Sequence, residues 1–281
     1  MSFLCKKITV FAVFFFTLLF SIPISAQEIG LQLYTFRNQI PKDVPGMLQK
    51  ISAMGIRELE GGGTYGMTRE EFKQLLDKNN LRIVSYGASF EELQKDPQAV
   101  ADKAKFFGSK LVVCTWVPHN GDVFTFEDTK KAVDVFNNAG KILKQNGLDF
   151  VYHAHGYEFQ PYQNGTFFDY MVKNMNPAYA NFEMDVFWFK NSGQDPAAWI
   201  NKYPKRFKAL HLKDRKHGTP DNVTAKADVE TNVTLGSGDV NIAAVMKAAK
   251  KAGIRYYFIE DESSRSLEQV PESLAYLKKL K

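Results

Sequence analysis

Four residues with metal-binding side chains close successive stretches of the sequence: Glu158, Asp185, His211 and Glu260. Each stands at or just after a run rich in β-formers, "LDFVYHAH" (148–155), "ANFEMDVF" (180–187), "FKALHLK" (207–213) and "RYYFIED" (255–261). Three carboxylates and one imidazole suit a single divalent ion such as Mn²⁺, Co²⁺, Mg²⁺ or Zn²⁺. Asp185 sharpens the point. A carboxylate at the end of a buried strand is costly to desolvate unless a cation or hydrogen bonds compensate. Taken singly, each residue also has a purely structural explanation. A strand histidine is often a hydrogen-bonded core residue, and a carboxylate can cap a helix or pair with a base, as Asp185 could with Lys213 and Glu260 with Arg255. Recurrence at four consecutive strand ends is what points to one shared cation.

The same ends offer a surrounding set suited to holding a polyhydroxylated substrate: Gln32, Tyr34, Glu60, Trp116, His153, His155, Trp188 and Lys213. Gln32 with Tyr34, and His153 with His155, share faces by the two-residue period of a strand. Trp116 and Trp188 could stack on the apolar face of a sugar ring, although packing explains each equally well. Glu183 lies two residues deeper than Asp185 on the same face and reads as a structural partner of a neighbouring cation.

These ends need a scaffold. Eight β-rich runs alternate with helical patterns, the first four being 29–36, 56–60, 82–88 and 110–117. Val44, Met47, Leu48, Ile51 and Met54 form one helical stripe. Thr68 with Glu71 forms a capping box, and Asp239 reads as the cap of a helix carrying Ile242, Val245, Met246 and Ala249. The sixth helix, between Pro196 and Tyr203, is short. Eight strand–helix beats predict a single α/β domain, a (β/α)8 TIM barrel over 27–281, whose site sits at the carboxyl ends of its strands. No glycine fingerprint of a dinucleotide fold follows the first strand. The polar loop 214–238, with "LGSGD", is long enough to be a lid, a binding surface or an oligomer contact.

Residues 1–26 read as a cleavable signal peptide: Lys6 and Lys7, the apolar run Ile8–Ile22, then Ala26 before the cut. The run is short of the ~20 residues of a membrane span. A secreted or periplasmic protein with no membrane span after cleavage is therefore expected. Of the two cysteines only Cys114 would remain, so no intrachain disulfide could form. With 36 basic against 31 acidic residues and no basic block, nucleic acid is not an expected partner.

The segments "LQLYTFR", "HAHGYEF", "MDVFW", "LHLKD" and "LGSGDV" together resemble the xylose-isomerase-like TIM-barrel superfamily of sugar isomerases and epimerases, from about Ile29 to the C-terminus. In the second segment Ala154 stands where that superfamily usually has Asn. The resemblance implies metal ligands at Glu158, Asp185, His211 and Glu260. It also implies that Glu158 and Glu260 move protons on opposite faces of the substrate, and that His155 and Lys213 bind its hydroxyls or carbonyl. Exported members resemble lyases and deglycosidases of 3-keto-glycosides, which implies a partner dehydrogenase supplying the keto-sugar, loss of the C2 proton and departure of the aglycone by β-elimination. Alternatives are a free-sugar epimerase or isomerase, a dehydratase, and a non-catalytic periplasmic sugar-binding barrel. Endonuclease relatives of the barrel need a larger histidine set than the five histidines here.

Overall fold

The computed structural model describes residues 28–280. The expected signal peptide falls on residues outside that range. Eight parallel strands close into a barrel: β1 (Gly30–Gln32), β2 (Glu58–Gly61), β3 (Arg82–Gly87), β4 (Leu111–Cys114), β5 (Asp149–His153), β6 (Asn181–Asp185), β7 (Phe207–Leu212) and β8 (Tyr256–Ile259). Each pairs with its neighbours in sequence, and β1 closes the ring on β8 through Gly30–Phe258 and Leu31–Ile259. Parallel pairing forces a crossover between consecutive strands. Most crossovers here are helical: α1 (Val44–Ala53), α2 (Arg69–Lys78), α3 (Phe90–Lys95), α4 (Pro97–Phe107), α5 (Phe126–Gln145), α6 (Phe167–Asn174), α7 (Val186–Asn191), α8 (Pro196–Lys202) and α9 (Ile242–Ala252). The terminal helix α10 (Ser266–Lys279) follows β8. Among the described residues no helix is long and apolar enough to cross a membrane.

Local chemistry sets these boundaries. Thr68 and Glu71 exchange hydrogen bonds to start α2, a device worth about 1 kcal/mol. The expected cap of α9 is corrected by two residues. Asn241 accepts from the Ala244 N–H at 3.0 Å, whereas Asp239 turns back to a two-point ion pair with Arg215. The first strand is shorter than its β-rich run, because Leu33–Phe36 tighten into a 3-10 turn capped by the Gln32 side chain.

Strand alternation sorts the side chains into two cores. Outward residues such as Leu31, Leu59, Tyr152, Met184, Leu210 and Ile259 pack against the helices. Inward residues Leu111, Val113, Val151, Ala209 and Phe258 plug the barrel. Above this plug, toward the carboxyl ends, the inward positions turn polar.

Candidate metal centre

Gln32, Glu60, His153, Glu183, Asp185, His211, Lys213 and Glu260 occupy that polar layer, and none is more than 8% exposed. Two strand registers slip beside it. An extra residue, Val84 in β3, sits between the partners of Leu59 and Glu60, and Lys208 in β7 sits between those of Phe182 and Glu183. Such slips re-aim side chains, and both occur at the two deepest carboxylates of the layer.

The deep groups bind one another. Gln32 Nε2 donates to Glu60 Oε1 at 2.7 Å, and His211 Nε2 lies 2.7 Å from that oxygen and 3.1 Å from Glu183 Oε2. The same Glu183 oxygen is 2.9 Å from His153 Nδ1. Both imidazoles are thus held from behind by carboxyl groups, the arrangement that orients a metal-binding histidine. His153 then points its Nε2 at Asp185 Oδ2, 3.9 Å away, and neither atom has a hydrogen-bond partner. Asp185 divides its carboxylate: Oδ1 accepts the N–H groups of Phe187 and Trp188 and caps α7, while Oδ2 accepts no hydrogen bond and lies 3.9 Å from Lys213 Nζ. Ligand atoms of His153, Asp185 and His211 all lie within 4.8 Å of one another. Glu260 Oε2 stands 3.3 Å from His211 Nδ1 and 3.2 Å from Lys213 Nζ. Glu60, Glu183 and His211 also cluster within 4.8 Å, but there the imidazole is already shared between the two acids.

Charge is divided across the layer: burial works against a charge on His211, but Glu183 and Glu60 outweigh it and hold this imidazole well above its ordinary range. Burial, helped by the neighbouring His211 and His155, pulls His153 well below the usual imidazole range, so it is neutral and keeps a lone pair. Burial pushes Asp185 up to about 7 despite Lys213. It pushes Glu183 well up too, with Glu60 adding to the effect. Burial also works against charge on Glu260, but Lys213 and His211 outweigh it and hold this carboxyl well below its ordinary range. Two facing atoms without a hydrogen-bond partner, an imidazole nitrogen and a carboxylate oxygen, are what a divalent ion would satisfy.

Of the four ligands expected from sequence, the fold gathers Asp185, His211 and Glu260. Glu158 goes elsewhere. It accepts hydrogen bonds from the Tyr152 hydroxyl and from the N–H groups of His155 and Gly156, and burial pushes it up to about 7. Tyr152 faces the helices, its ring 4.8 Å from that of Phe136 in α5, so this carboxyl sits behind β5 rather than inside the barrel. His153 fills the corresponding place within the barrel.

The remaining expected residues ring the opening. Lys213 Nζ lies 5.5 Å from the centre of the Trp188 ring and also contacts Glu262. Half-buried His155 links the layer to the rim. Its ring lies 4.6 Å from His153 and 5.7 Å from both Trp116 and Trp188, and burial pulls it down to about 3. Tyr34 and Trp116 are exposed on the rim. The loop after β7 is tied to the loop after β4 by Lys226 and Asp122, 2.6 Å apart, and Gln160 reaches the backbone of both. Sequence reading places Glu262 at the eighth strand end without a role and takes Tyr152 as packing. The signal for Tyr152 was its place beside His153, which by alternation turns it toward the helices.

A family model described as the xylose isomerase-like TIM barrel matches residues 48–280. The chain belongs to that family. Among curated relatives, an inosose dehydratase of Bacillus anthracis (strain CDC 684 / NRRL 3495) is 26% identical over 198 residues, which cover 64% of this chain and 66% of the relative. The chain therefore spans just under two thirds of that relative's length. A solved sugar phosphate isomerase/epimerase from Parabacteroides distasonis ATCC 8503 superposes with a TM-score of 0.75 at 27% identity, covering 92% of this chain and 96% of that one. A family member from Mycobacterium smegmatis, solved in complex with magnesium, superposes with a TM-score of 0.70 at 15% identity, covering 91% and 96% of the two chains. At that identity the likeness is one of fold.

Proposed function

We propose that the protein is a metal-dependent enzyme that removes the proton next to a sugar ketone and expels a group from the β-position. Its substrate is a 3-keto-glycoside and its product the released aglycone. The observation that carries this reading is the pair of facing atoms without a hydrogen bond, His153 Nε2 and Asp185 Oδ2, beside Lys213 and an ionised Glu260. His153, Asp185 and His211 would hold the ion, with Glu260 beside them. A divalent cation there would polarise the carbonyl oxygen and make the adjacent proton more acidic.

The chain's own residues do the rest. Lys213, kept charged by Glu260, Asp185 and Glu262 against the pull of burial, donates hydrogen bonds to substrate oxygens. Glu260 is the ionised carboxylate placed to take a proton. His155, neutral and facing the opening from β5, is placed to carry one on the other flank. Glu158, behind β5, is assigned to holding the turn that presents His155. Trp188 and the rim exclude water.

The curated relatives favour a second reading, dehydration of a monocyclic keto-polyol, which begins with the same proton transfer. Action outside the cytoplasm, and supply of the ketone by a dehydrogenase, complete the proposal and rest on the leader-like residues 1–26.

The test is NMR in D₂O of metal-loaded protein with a 3-keto-β-glucoside, and in parallel with an inosose. Aglycone release supports the lyase. Deuterium entry at C2 without release leaves an epimerase or isomerase. Water loss from the inosose alone favours the dehydratase, and no change with metal bound leaves a sugar-binding barrel.

A further inference from the structure

Two cavities flank the polar layer. One, of about 270 Å³, lies against the ends of β6, β7 and β8 and is lined by Phe187, Trp188, Lys213, Val229, Asn232 and Glu262. The other, of about 460 Å³, lies against the ends of β2, β3 and β4, and Gly62, Gly63, Tyr86, Ser89, Glu91 and Trp116 line it. The strand order puts these arcs on opposite sides of the ring, separated by β1 and β5. Of the groups assigned above, the first cavity presents Lys213, with its partner Glu262 beside it. The second contains none of them, yet it begins two residues beyond Glu60.

Its construction suits a ring rather than a void of loose packing. Trp116 is 47% exposed. Even so, it is fixed on three sides, its ring 4.7 Å from His119, 5.4 Å from Tyr157 and 5.7 Å from His155. An exposed aromatic held rigid has little freedom to lose when a ligand stacks on it. The floor is glycine. At Gly62 this is required, because a Cβ would stand 2.2 Å from the Gly87 carbonyl oxygen. At Gly63 it is not, because a Cβ there would meet nothing within 4 Å and would project into open space. The exposed carboxylate of Glu91 lies at the edge, where a hydroxyl would find an acceptor. A flat wall, a bare floor and an acceptor at the rim match a saturated ring with an apolar face and a hydroxylated edge.

We infer that this cavity is a second subsite, which takes the sugar ring or flat aglycone attached to the ring that reacts. The inference rests on the proposed function and specifies its substrate as a two-ring glycoside lying across the mouth. Small-molecule sites occupy roughly 300–1,000 Å³; the Lys213 cavity, at about 270 Å³, falls just short of that range alone, whereas the Trp116 cavity, at about 460 Å³, lies within it. A monocyclic keto-polyol would leave the Trp116 side empty.

The experiment uses Gly63→Phe, which fills the cavity from a position with room for a side chain, and Trp116→Ala, which removes its wall. Binding of glucose and of a β-linked glucose disaccharide is measured by tryptophan fluorescence and saturation-transfer NMR. Turnover is measured with the 3-keto forms of both sugars, as aglycone release for the disaccharide and deuterium entry at C2 for the monosaccharide. The wild type should bind the disaccharide at least tenfold more tightly than glucose. Gly63→Phe should abolish that preference and raise KM for the two-ring substrate tenfold or more, leaving exchange on the one-ring ketone within twofold. Equal loss on both substrates, or on neither, overturns the subsite. A disaccharide preference that Gly63→Phe removes, without turnover of either ketone, keeps the subsite and overturns the proposed chemistry. Turnover with no preference keeps the chemistry and overturns the subsite.

Discussion

His153 enters the buried polar layer, whereas Glu158, read from sequence as a ligand, turns back to Tyr152, and the cause is local. The two-residue period is reliable only while the chain is a strand, and β5 ends at His153. Gly156, at a φ of 106°, then turns the chain into a short 3-10 segment, which carries the Glu158 carboxyl back to Tyr152. Asp185 and His211 lie within strands, and both turn into the barrel as alternation requires. His153→Ala should therefore abolish stoichiometric metal binding, whereas Glu158→Gln should retain the metal and lower the melting temperature; metal analysis and thermal unfolding separate the two. Glu183→Gln, which disturbs the group behind both imidazoles, should weaken metal binding about 10–100-fold. The pH dependence follows from Asp185. Burial holds its carboxyl near 7, and a cation requires it ionised. Apparent metal affinity should therefore fall at least tenfold per unit as the pH drops below 7, and because Glu183 and Glu60 hold the His211 imidazole above its usual range it should go on rising above 7, read by calorimetry in buffers of different ionisation heat. In metal-free protein the sign reverses. A raised carboxyl pKa favours the folded state at low pH, so Asp185, Glu158 and Glu183 together make the fold less stable as the pH rises from about 4 through 7. Melting curves with and without chelator should diverge across that window.

The loop after β7 shows how a motif can be conspicuous in sequence and structural in the fold. "LGSGDV" suggests a binding loop, but its backbone wraps a single buried side chain. Asp214 accepts N–H bonds from Arg215, Gly236, Gly238 and Val240, between 2.8 and 3.1 Å. Gly238 permits this, since a Cβ there would stand 2.3 Å from both Asp214 Oδ1 and the Arg215 carbonyl oxygen. Asp239 is drawn to Arg215 for the same purpose, which is why it does not cap α9. Asp214→Ala would leave four N–H groups to find new partners, at a cost of about 2–4 kcal/mol. The expected result is a melting temperature lower by several degrees, with metal content unchanged. No hydropathy pattern encodes this knot, because three of its four partners are backbone groups more than twenty residues away.

At the scale of the molecule, the barrel was the most legible feature. Eight alternations of β-rich and helical segments are hard to satisfy with another architecture, and inward-facing residues follow from strand parity. The register slips beside Glu60 and Glu183 were not legible, since one-residue offsets between neighbouring strands leave no trace in either strand's own pattern. Among the described residues Cys114 is the one cysteine. It lies within the core, and burial pushes its thiol up to about 12. It should resist maleimide at pH 8 in the native protein and react only on global unfolding, so labelling rate against denaturant gives a direct measure of stability.

The bridge from Lys226 to Asp122 joins segments 104 positions apart on the rim of the barrel. Exposed pairs of this kind contribute at most about 1 kcal/mol and are screened by salt. Ordinary electrolyte thereby becomes a control on traffic through the opening. At molar salt, ligand entry and escape should both quicken, up to about fivefold, while equilibrium affinity and the resting geometry of the interior stay as they were.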